Sequence, residues 1–178
     1  MKISGCFCLN AKNENAIVDL LSRKGSVESD CDAELLLSIS FSGIVNVDSI
    51  LISSLNDGRA PKTIKLFLNN PNHDFESAKA QTPAQTVHLN ESDWKKTSKQ
   101  SVSASSSSTT SKESELPSST ESNVTALIKL NIAKFSKVTS LTLYFTENMG
   151  SEETTLITGI NVIGTSNKKL VVVEDVIE

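Results

Sequence analysis

The stretch of sequence that decides the fold reads Leu35-Leu36-Leu37-Ser38-Ile39-Ser40-Phe41. Every second residue from Leu35 to Phe41 is apolar, and Ser38 and Ser40 alternate with these apolar positions. Because successive side chains of a β-strand point to opposite faces, a period of two is typical of a strand with one face in the core. We therefore predict a half-buried strand here, with its serines on the other face.

The same alternation continues outward along the chain and predicts further strands at Val45–Ser53, Pro61–Leu68, Leu127–Ala133, Leu141–Phe145 and Ile157–Ile163. The alternating apolar residues stand at odd-numbered positions up to Val47 and at even-numbered positions from Ile50 onward. This shift near Asp48 and Ser49 predicts a β-bulge or a bend. Pro61 begins its strand, where a missing N–H does least harm. Ala16–Ser22 is the only helical candidate. Many short strands without long amphipathic helices predict an all-β, antiparallel sandwich or barrel.

The middle of the chain, residues 97–122, consists mainly of Ser, Thr, Lys and Glu. Such a segment has almost no apolar surface to bury against the entropy cost of ordering it. We predict that it is a disordered insertion between two β-elements of a single domain, residues 1–170. Residues 171–178 are expected to form either a final strand or a tail that adds to a partner as a strand.

The overall charge and composition exclude some classes of function. The net charge is −4 and the pI is about 5.3, with no basic stripe of the kind that nucleic-acid binding needs. No apolar run approaches the ~20 residues that span a membrane, and we expect no signal peptide. The odd count of three cysteines then predicts reduced thiols and a cytoplasmic and nuclear location.

Side chains that could carry chemistry are few and scattered. Cys6 and Cys8 are separated by one residue, whereas a thioredoxin-type redox site needs two. Cys31, His73 and His88 show no metal-ligand spacing. No nucleophile elbow or phosphate-binding loop is present in the sequence. We expect no catalysis, no cofactor and no metal, and a redox-responsive role for Cys6 and Cys8 stays open as an alternative.

Two acidic loops stand out beside the predicted strands. The first, Glu28–Glu34, carries a carboxylate at every second position, and the second contains Glu152–Thr155. Alternate carboxylates could hold a hard cation such as calcium. Asp and Ser are also ordinary turn residues whose side chains bond nearby backbone N–H groups. The pattern favours a turn over a cation site.

Several segments between Gly5 and Thr165 form a pattern of fixed order and spacing: Cys8-Leu9-Asn10, Glu28–Leu36, Ala60–Phe67, Lys134–Leu143 and Asn148–Thr155. This pattern resembles the PITH domain, which occurs at the C-terminus of proteasome-interacting thioredoxin-like proteins and also by itself. The resemblance implies a jelly-roll-like β-sandwich of the galactose-binding type and a role near the 26S proteasome. The sequence holds no Cys-x-x-Cys motif, so the resemblance does not imply redox activity.

We therefore expect a protein-binding adaptor that contacts the 26S proteasome regulatory particle and is a monomer on its own. The candidate contact residues lie in the two acidic loops and the C-terminal tail: Asp30, Asp32, Glu34, Glu152, Glu153, Val173 and Asp175. The alternative is a carbohydrate- or small-ligand-binding sandwich. Sugar sites present exposed aromatic side chains, for which only Trp94 and Tyr144 are candidates.

Overall fold

A computed structural model describes residues 5–13, 16–97, 122–166 and 169–172, the last range as backbone only. Over these residues the strands are β1 (Phe7–Leu9), β2 (Val27–Glu28), β3 (Leu35–Leu55), β4 (Pro61–Leu68), β5 (Gln85–His88), β6 (Lys95–Lys96), β7 (Asn123–Lys129), β8 (Val138–Asn148), β9 (Leu156–Ile157), β10 (Gly159–Ser166) and β11 (Lys169–Val172). The helices are α1 (Ala16–Leu21), α2 (Phe75–Ala80) and a 3-10 turn at Glu91–Asp93.

Two antiparallel layers are organised around the long strand β3. Its first part pairs with β1 and β8, and β4 and then β5 extend this first sheet. Its second part pairs with β7 and β10, and β6 and β11 extend this second sheet. The short strands β2 and β9 form a separate pair. The predicted all-β, antiparallel sandwich is confirmed.

β3 leaves the first sheet for the second at a bend. Ser40 pairs with Ser140 of β8, but the next pair is Val45 with Val138, so four residues of β3 lie opposite one residue of β8. Ile44, within this bend, is 52% exposed. An unequal count of paired residues increases the local twist and bends a strand, which allows β3 to belong to both layers.

A bulge lies further along β3, where the alternating apolar residues shift from odd-numbered to even-numbered positions. Ile163 of β10 pairs with Ser49, but Gly164 pairs with Val47, so Asp48 has no partner on β10. The N–H of Leu130 donates to the carbonyl of Asp48 at 2.9 Å, so that this carbonyl is still hydrogen-bonded. The predicted bulge near Asp48 and Ser49 is confirmed.

The main core fills the space between the two layers. Its members are Leu, Ile, Val and Phe side chains at alternate positions of β3, β4, β7, β8 and β10, and helix α1 adds Ile17 and Leu20 at its margin. Leu35, Leu37 and Ile39 are fully buried from the first part of β3, and Ile50 and Ile52 from the second. The periodicity therefore identified the core-facing positions of β3 correctly.

The outer face of the first sheet is also buried, which the sequence analysis missed. Leu36, Phe67 and Tyr144 pack there against Ala78 of α2. Ser38 is fully buried, and its hydroxyl lies 3.3 Å from that of Thr142. The half-buried prediction is wrong for the start of β3, because α2 and β1 cover the face that was expected to meet water.

Helix α2 has a local signal that the sequence analysis did not use. The Asp74 carboxylate accepts from the N–H of Ser77 at 2.8 Å, and the Ser77 hydroxyl accepts from the N–H of Asp74 at 2.9 Å. This reciprocal arrangement is a capping box, which satisfies backbone N–H groups at a helix start. The Asp-x-x-Ser spacing ahead of Ala78 was the available signal.

The strand predicted over Ile157–Ile163 is divided at Thr158 into β9, which pairs with β2, and β10, which pairs with β3. The other predicted elements differ mainly at their ends. The helix predicted at 16–22 and the strand beginning at Pro61 are confirmed. The strand predicted over Leu127–Ala133 instead runs from Asn123 to Lys129, because the Asn131 side chain accepts from the N–H of Ala133 at 3.1 Å and begins a turn. The described part of the chain has no helix with the length and apolarity to cross a membrane.

Two predicted segments lie largely outside the described residues. Of the insertion predicted at 97–122, only the ends are described, and the N–H of Thr97 donates to the carbonyl of Asn123 at 2.9 Å. These ends adjoin the antiparallel strands β6 and β7. In the C-terminal segment, Lys169–Val172 forms β11 beside β10, and residues 173–178 lie outside the described part.

The bulge yields a stability prediction at Gly164. A Cβ at this position would meet the carbonyl oxygen of Asn46 at 2.1 Å, and backbone cannot move aside cheaply. We expect Gly164→Ala to lower the free energy of unfolding by about 2 kcal/mol or more, the scale of overpacking. Gly43→Ala is the matched control, since nothing lies within 4 Å of its Cβ. Urea denaturation giving equal stabilities for both variants would contradict the proposed geometry.

Candidate interaction site at the joined acidic loops

The first acidic loop, residues 28–34, is held in shape by the side chain of Asn10. Its amide nitrogen donates to the Asp32 carboxylate at 2.8 Å and to the Glu34 carbonyl at 2.6 Å, and its amide oxygen accepts from the N–H of Cys31 at 3.1 Å. Asp32 also accepts from the N–H of Glu34 at 2.9 Å. The loop is therefore a hydrogen-bonded turn, as the sequence pattern favoured.

The second loop, residues 148–155, is organised in the same way by Asn148. Its amide nitrogen donates to the carbonyls of Glu152 at 2.8 Å and Thr154 at 3.0 Å, and its amide oxygen accepts from the N–H of Glu152 at 2.9 Å. Asn148 itself is 4% exposed. Since a buried amide that loses its partners carries a large desolvation cost, these bonds hold the loop in one conformation.

Direct hydrogen bonds connect the two loops. The N–H of Ser29 donates to the carbonyl of Thr155 at 3.0 Å, and the N–H of Thr155 donates to the Ser29 hydroxyl at 2.9 Å. The Thr155 hydroxyl donates to the carbonyl of Ala33 at 2.7 Å. Ser29 and Thr155 are fully buried. Loops whose bonded residues are 122 to 126 positions apart in sequence thus form one surface, which we call the joined acidic loops (residues 28–34 and 148–155).

A cluster of charges supports the base of this surface. Glu28 accepts from Lys12 at 2.8 Å, from Arg59 at 3.2 Å and from the Thr154 hydroxyl at 2.9 Å. The hydrogen bond from Lys12 is the main cause that lowers the pKa of Glu28, and it outweighs the effect of burial. Arg59 also donates from Nε to Asp57 at 2.8 Å. Glu28 therefore serves the fold and is not a free carboxylate.

Glu34 is likewise bonded within its own chain. Its carboxylate accepts from the Tyr144 hydroxyl at 2.7 Å and from Lys79 at 2.8 Å. Burial, the largest single effect, would raise the pKa of Glu34, but the two hydrogen bonds and the charges of Lys79 and Lys65 together outweigh it and lower the pKa. Burial, followed by the bond to Glu34, raises the pKa of Tyr144. Glu34 thereby ties the first loop to helix α2 and to the outer face of the first sheet.

The other candidate contact residues fall into two groups. Asp30, Asp32, Glu152 and Glu153 are exposed on the joined acidic loops. Val173 and Asp175 lie outside the described residues. The sequence analysis missed Asn10 and Asn148, which shape both loops. Asn is favoured where its short side chain bonds neighbouring backbone, and Asn10 has a left-handed φ of 61°, which Asn tolerates better than most residues.

Cys8 lies on β1 and Cys6 directly precedes this strand, and both side chains pack against the main core. Burial raises the pKa of Cys8 to about 12. Burial also raises the pKa of Cys6, although the N–H of Ser40 partly offsets this effect. Because the thiolate is the reactive form, both environments oppose redox chemistry at neutral pH. Cys31 is exposed in the first acidic loop.

The aromatic side chains give little support to a sugar site. Tyr144 is 1% exposed and is bonded inside the fold, so the expectation that it could form an exposed platform is wrong. Trp94 is half-buried and lines a cavity of about 330 Å³ together with Met149 and Lys96. Among the described residues, no three His, Cys, Asp or Glu side chains come together as a metal site.

Comparison with known families identifies the relatives of this chain. The family model described as the PITH domain matches residues 1–106 and 101–176, which together cover nearly the whole chain. This chain belongs to the PITH domain family. The two matched segments meet within the Ser-rich stretch, and the joined acidic loops lie in different segments.

Individual PITH relatives show moderate identity over most of this chain. Thioredoxin-like protein 1 from Schizosaccharomyces pombe is 30% identical over 88% of this chain and 47% of its own length. PITH domain-containing protein 1 from Danio rerio is 31% identical over 74% of this chain and 49% of its own length. The chain thus spans about half the length of these curated relatives.

Among solved structures, the lectin domain of lectinolysin in complex with Lewis B antigen is similar over 90% of this chain and 92% of that domain. The TM-score is 0.46 and the sequence identity is 6%.

We predict that acid weakens this PITH domain partly through Glu34. Its pKa in the folded protein is below the ordinary 4.5. Its contribution to stability is therefore complete above the unfolded-state pKa and is lost as the pH falls through the folded-state pKa. The Glu34→Gln variant should be less stable than the wild type at neutral pH. Its free energy of unfolding should fall less than that of the wild type on acidification, as measured by urea denaturation from pH ~6 to ~3. Glu153→Gln, at an exposed position, should keep the wild-type profile.

A second prediction concerns the thiols. In the native protein at neutral pH, iodoacetamide should modify Cys31 quickly, while Cys6 and Cys8 react slowly, because burial keeps both thiols protonated. Mass spectrometry after timed quenching measures each site separately, and unfolding in urea should make all three react alike. Fast native labelling of Cys8 would contradict this environment and would revive the redox alternative.

Proposed function

We propose that this PITH domain is a non-catalytic adaptor of the cytoplasm and nucleus that binds the 26S proteasome regulatory particle through the joined acidic loops. The observation that carries the proposal is the hydrogen-bonded union of two distant acidic loops into one surface. Membership of the PITH family supports the choice of partner, since the family resemblance implies a role near the proteasome.

The construction of the surface suits protein binding. Backbone groups of the joined acidic loops are bonded to Asn10, Asn148, Ser29 and Thr155, so the loops do not depend on a partner for their shape. A preorganised surface loses little conformational entropy on association. The exposed carboxylates favour a partner surface rich in Lys or Arg, since complementary charge speeds encounter and selects partners.

The polar groups of this surface support binding over catalysis. Glu28 and Glu34, the carboxylates with lowered pKa values, are held by ion pairs within the chain, so both are ionised at neutral pH and have no proton to give. A general acid or base would need a pKa near the working pH. The raised pKa values of Cys6 and Cys8 oppose thiol nucleophiles.

Capture of the regulatory particle from cell extract tests this proposal. The immobilised wild-type chain should enrich regulatory-particle subunits, as quantified by mass spectrometry. Asp30→Lys and Glu153→Lys should each reduce the recovered amount several-fold, because each reversal places a like charge against the basic partner surface.

The matched control is Asp48→Lys, which makes the same charge change at the exposed bulge of β3, outside both acidic loops and distant in sequence from the Leu35 end that follows the first loop. Asp48→Lys should retain wild-type capture, and circular dichroism should show all variants folded. Failure of the wild-type chain to enrich regulatory-particle subunits would overturn the choice of partner. Equal loss with Asp30→Lys and Asp48→Lys would overturn the choice of surface.

A further inference from the structure

A second surface lies between the two sheets where β5 and the end of β7 face each other, away from the joined acidic loops. A cleft of about 720 Å³ separates the start of β5 from the end of β7. It is lined by residues 82–86 on one side and by Lys129, Leu130, Asn131 and Lys134 on the other. We call this the basic cleft. In the described part of the chain, β5 pairs with β4 alone, so its other side faces this cleft.

Three hydrogen bonds hold the two walls of the basic cleft at a fixed separation. The Gln85 side chain donates to the carbonyl of Lys129 and accepts from the N–H of Asn131, both at 3.1 Å. The Lys134 ammonium donates to the carbonyl of Ala84 at 3.1 Å. These bonds connect one sheet to the other, so the fold itself fixes the shape of the cleft.

The charge of the basic cleft is opposite to that of the chain as a whole. Two lysines line it, and no described lining residue is acidic, although the net charge of the chain is −4. The Lys129 ammonium has no hydrogen-bond or ion-pair partner among the described residues. Lys134 uses one of its three donors on Ala84, so two remain. Both ammonium groups are thus available to an anionic ligand.

Exposed apolar side chains flank these lysines. Leu127 is 54% exposed and lies two residues before Lys129, on the same face of β7. Ile132 is 63% exposed and lies between Asn131 and Lys134 in sequence, but it lines a neighbouring depression with Val47 and Ile163. Leu127 and Ile132 are among the most exposed large apolar side chains in the described part of the chain. Covering Leu127 with an apolar group of a ligand would remove exposed apolar surface from water, which favours association.

We propose that the basic cleft binds a short acidic peptide segment of a partner protein. Carboxylates of the segment pair with Lys129 and Lys134, and an apolar side chain of the segment covers Leu127. A nucleic acid is disfavoured, because the described lining offers neither an aromatic side chain for base stacking nor a long basic stripe. This site is separate from the joined acidic loops and has the opposite charge.

Fluorescence anisotropy with a labelled peptide of sequence Asp-Leu-Asp-Glu-Leu-Asp-Asp tests the proposal on the full chain. The wild-type chain should bind this probe, and added salt should weaken the binding. Lys129→Glu/Lys134→Glu should weaken binding by at least about tenfold, since two attractive contacts become repulsive. Leu127→Ser should weaken binding by several-fold and leave its salt dependence unchanged.

The matched control is Lys24→Glu/Lys62→Glu, which makes the same charge change outside the cleft and should retain wild-type affinity. A second probe replaces each Leu of the peptide with Ser, and weaker binding of this probe is expected. No binding of the acidic peptide would overturn the proposal, as would equal affinity for the wild type and Lys129→Glu/Lys134→Glu. Tighter binding of a single-stranded RNA of equal charge would overturn the assignment to a peptide.

Discussion

The architecture depends on one strand that belongs to both layers. β3 pairs with β8 before its bend and with β7 and β10 after it, so its two parts contribute side chains to the same core from opposite sides. This arrangement demands that extra residues be accommodated at two points. The bend at residues 41–44 and the bulge at Asp48 supply them, and the small Gly164 lets β10 approach the bulge closely.

The positions of the functional surfaces follow from this shared strand. Its first residue lies directly after the first acidic loop, and β8, its neighbour in the first sheet, leads into the second loop. Pairing of these strands brings residues 28–34 and 148–155 to one end of the molecule, where Ser29 and Thr155 join them. Elsewhere between the two sheets, the end of β7 faces β5 across the basic cleft. Because β3 belongs to both sheets, the acidic surface and the basic surface lie in different parts of the molecule.

Opposite charges on separate surfaces would allow the proposed adaptor to hold two partners at once without its own surfaces competing for them. The joined acidic loops favour a basic partner surface, and the basic cleft favours an acidic segment. Both surfaces are shaped by hydrogen bonds inside the chain, through Asn10 and Asn148 at one site and Gln85 at the other. Each surface is therefore preorganised, and the two sets of hydrogen bonds share no residue.

The sequence by itself determined the main core strands apart from their ends, the bulge near Asp48, the helix at Ala16 and the family, because periodicity and local spacing are properties of neighbouring residues. It also identified both acidic loops, and it favoured a turn for residues 28–34. Only the tertiary structure decided that these loops meet, that Glu34 is bonded to Tyr144 and Lys79, and that α2 covers the outer face of the first sheet. It likewise created the basic cleft from Lys129 and residues 82–86. Such contacts join residues far apart in the chain, and no local pattern encodes which distant side chains the packing of two layers brings together.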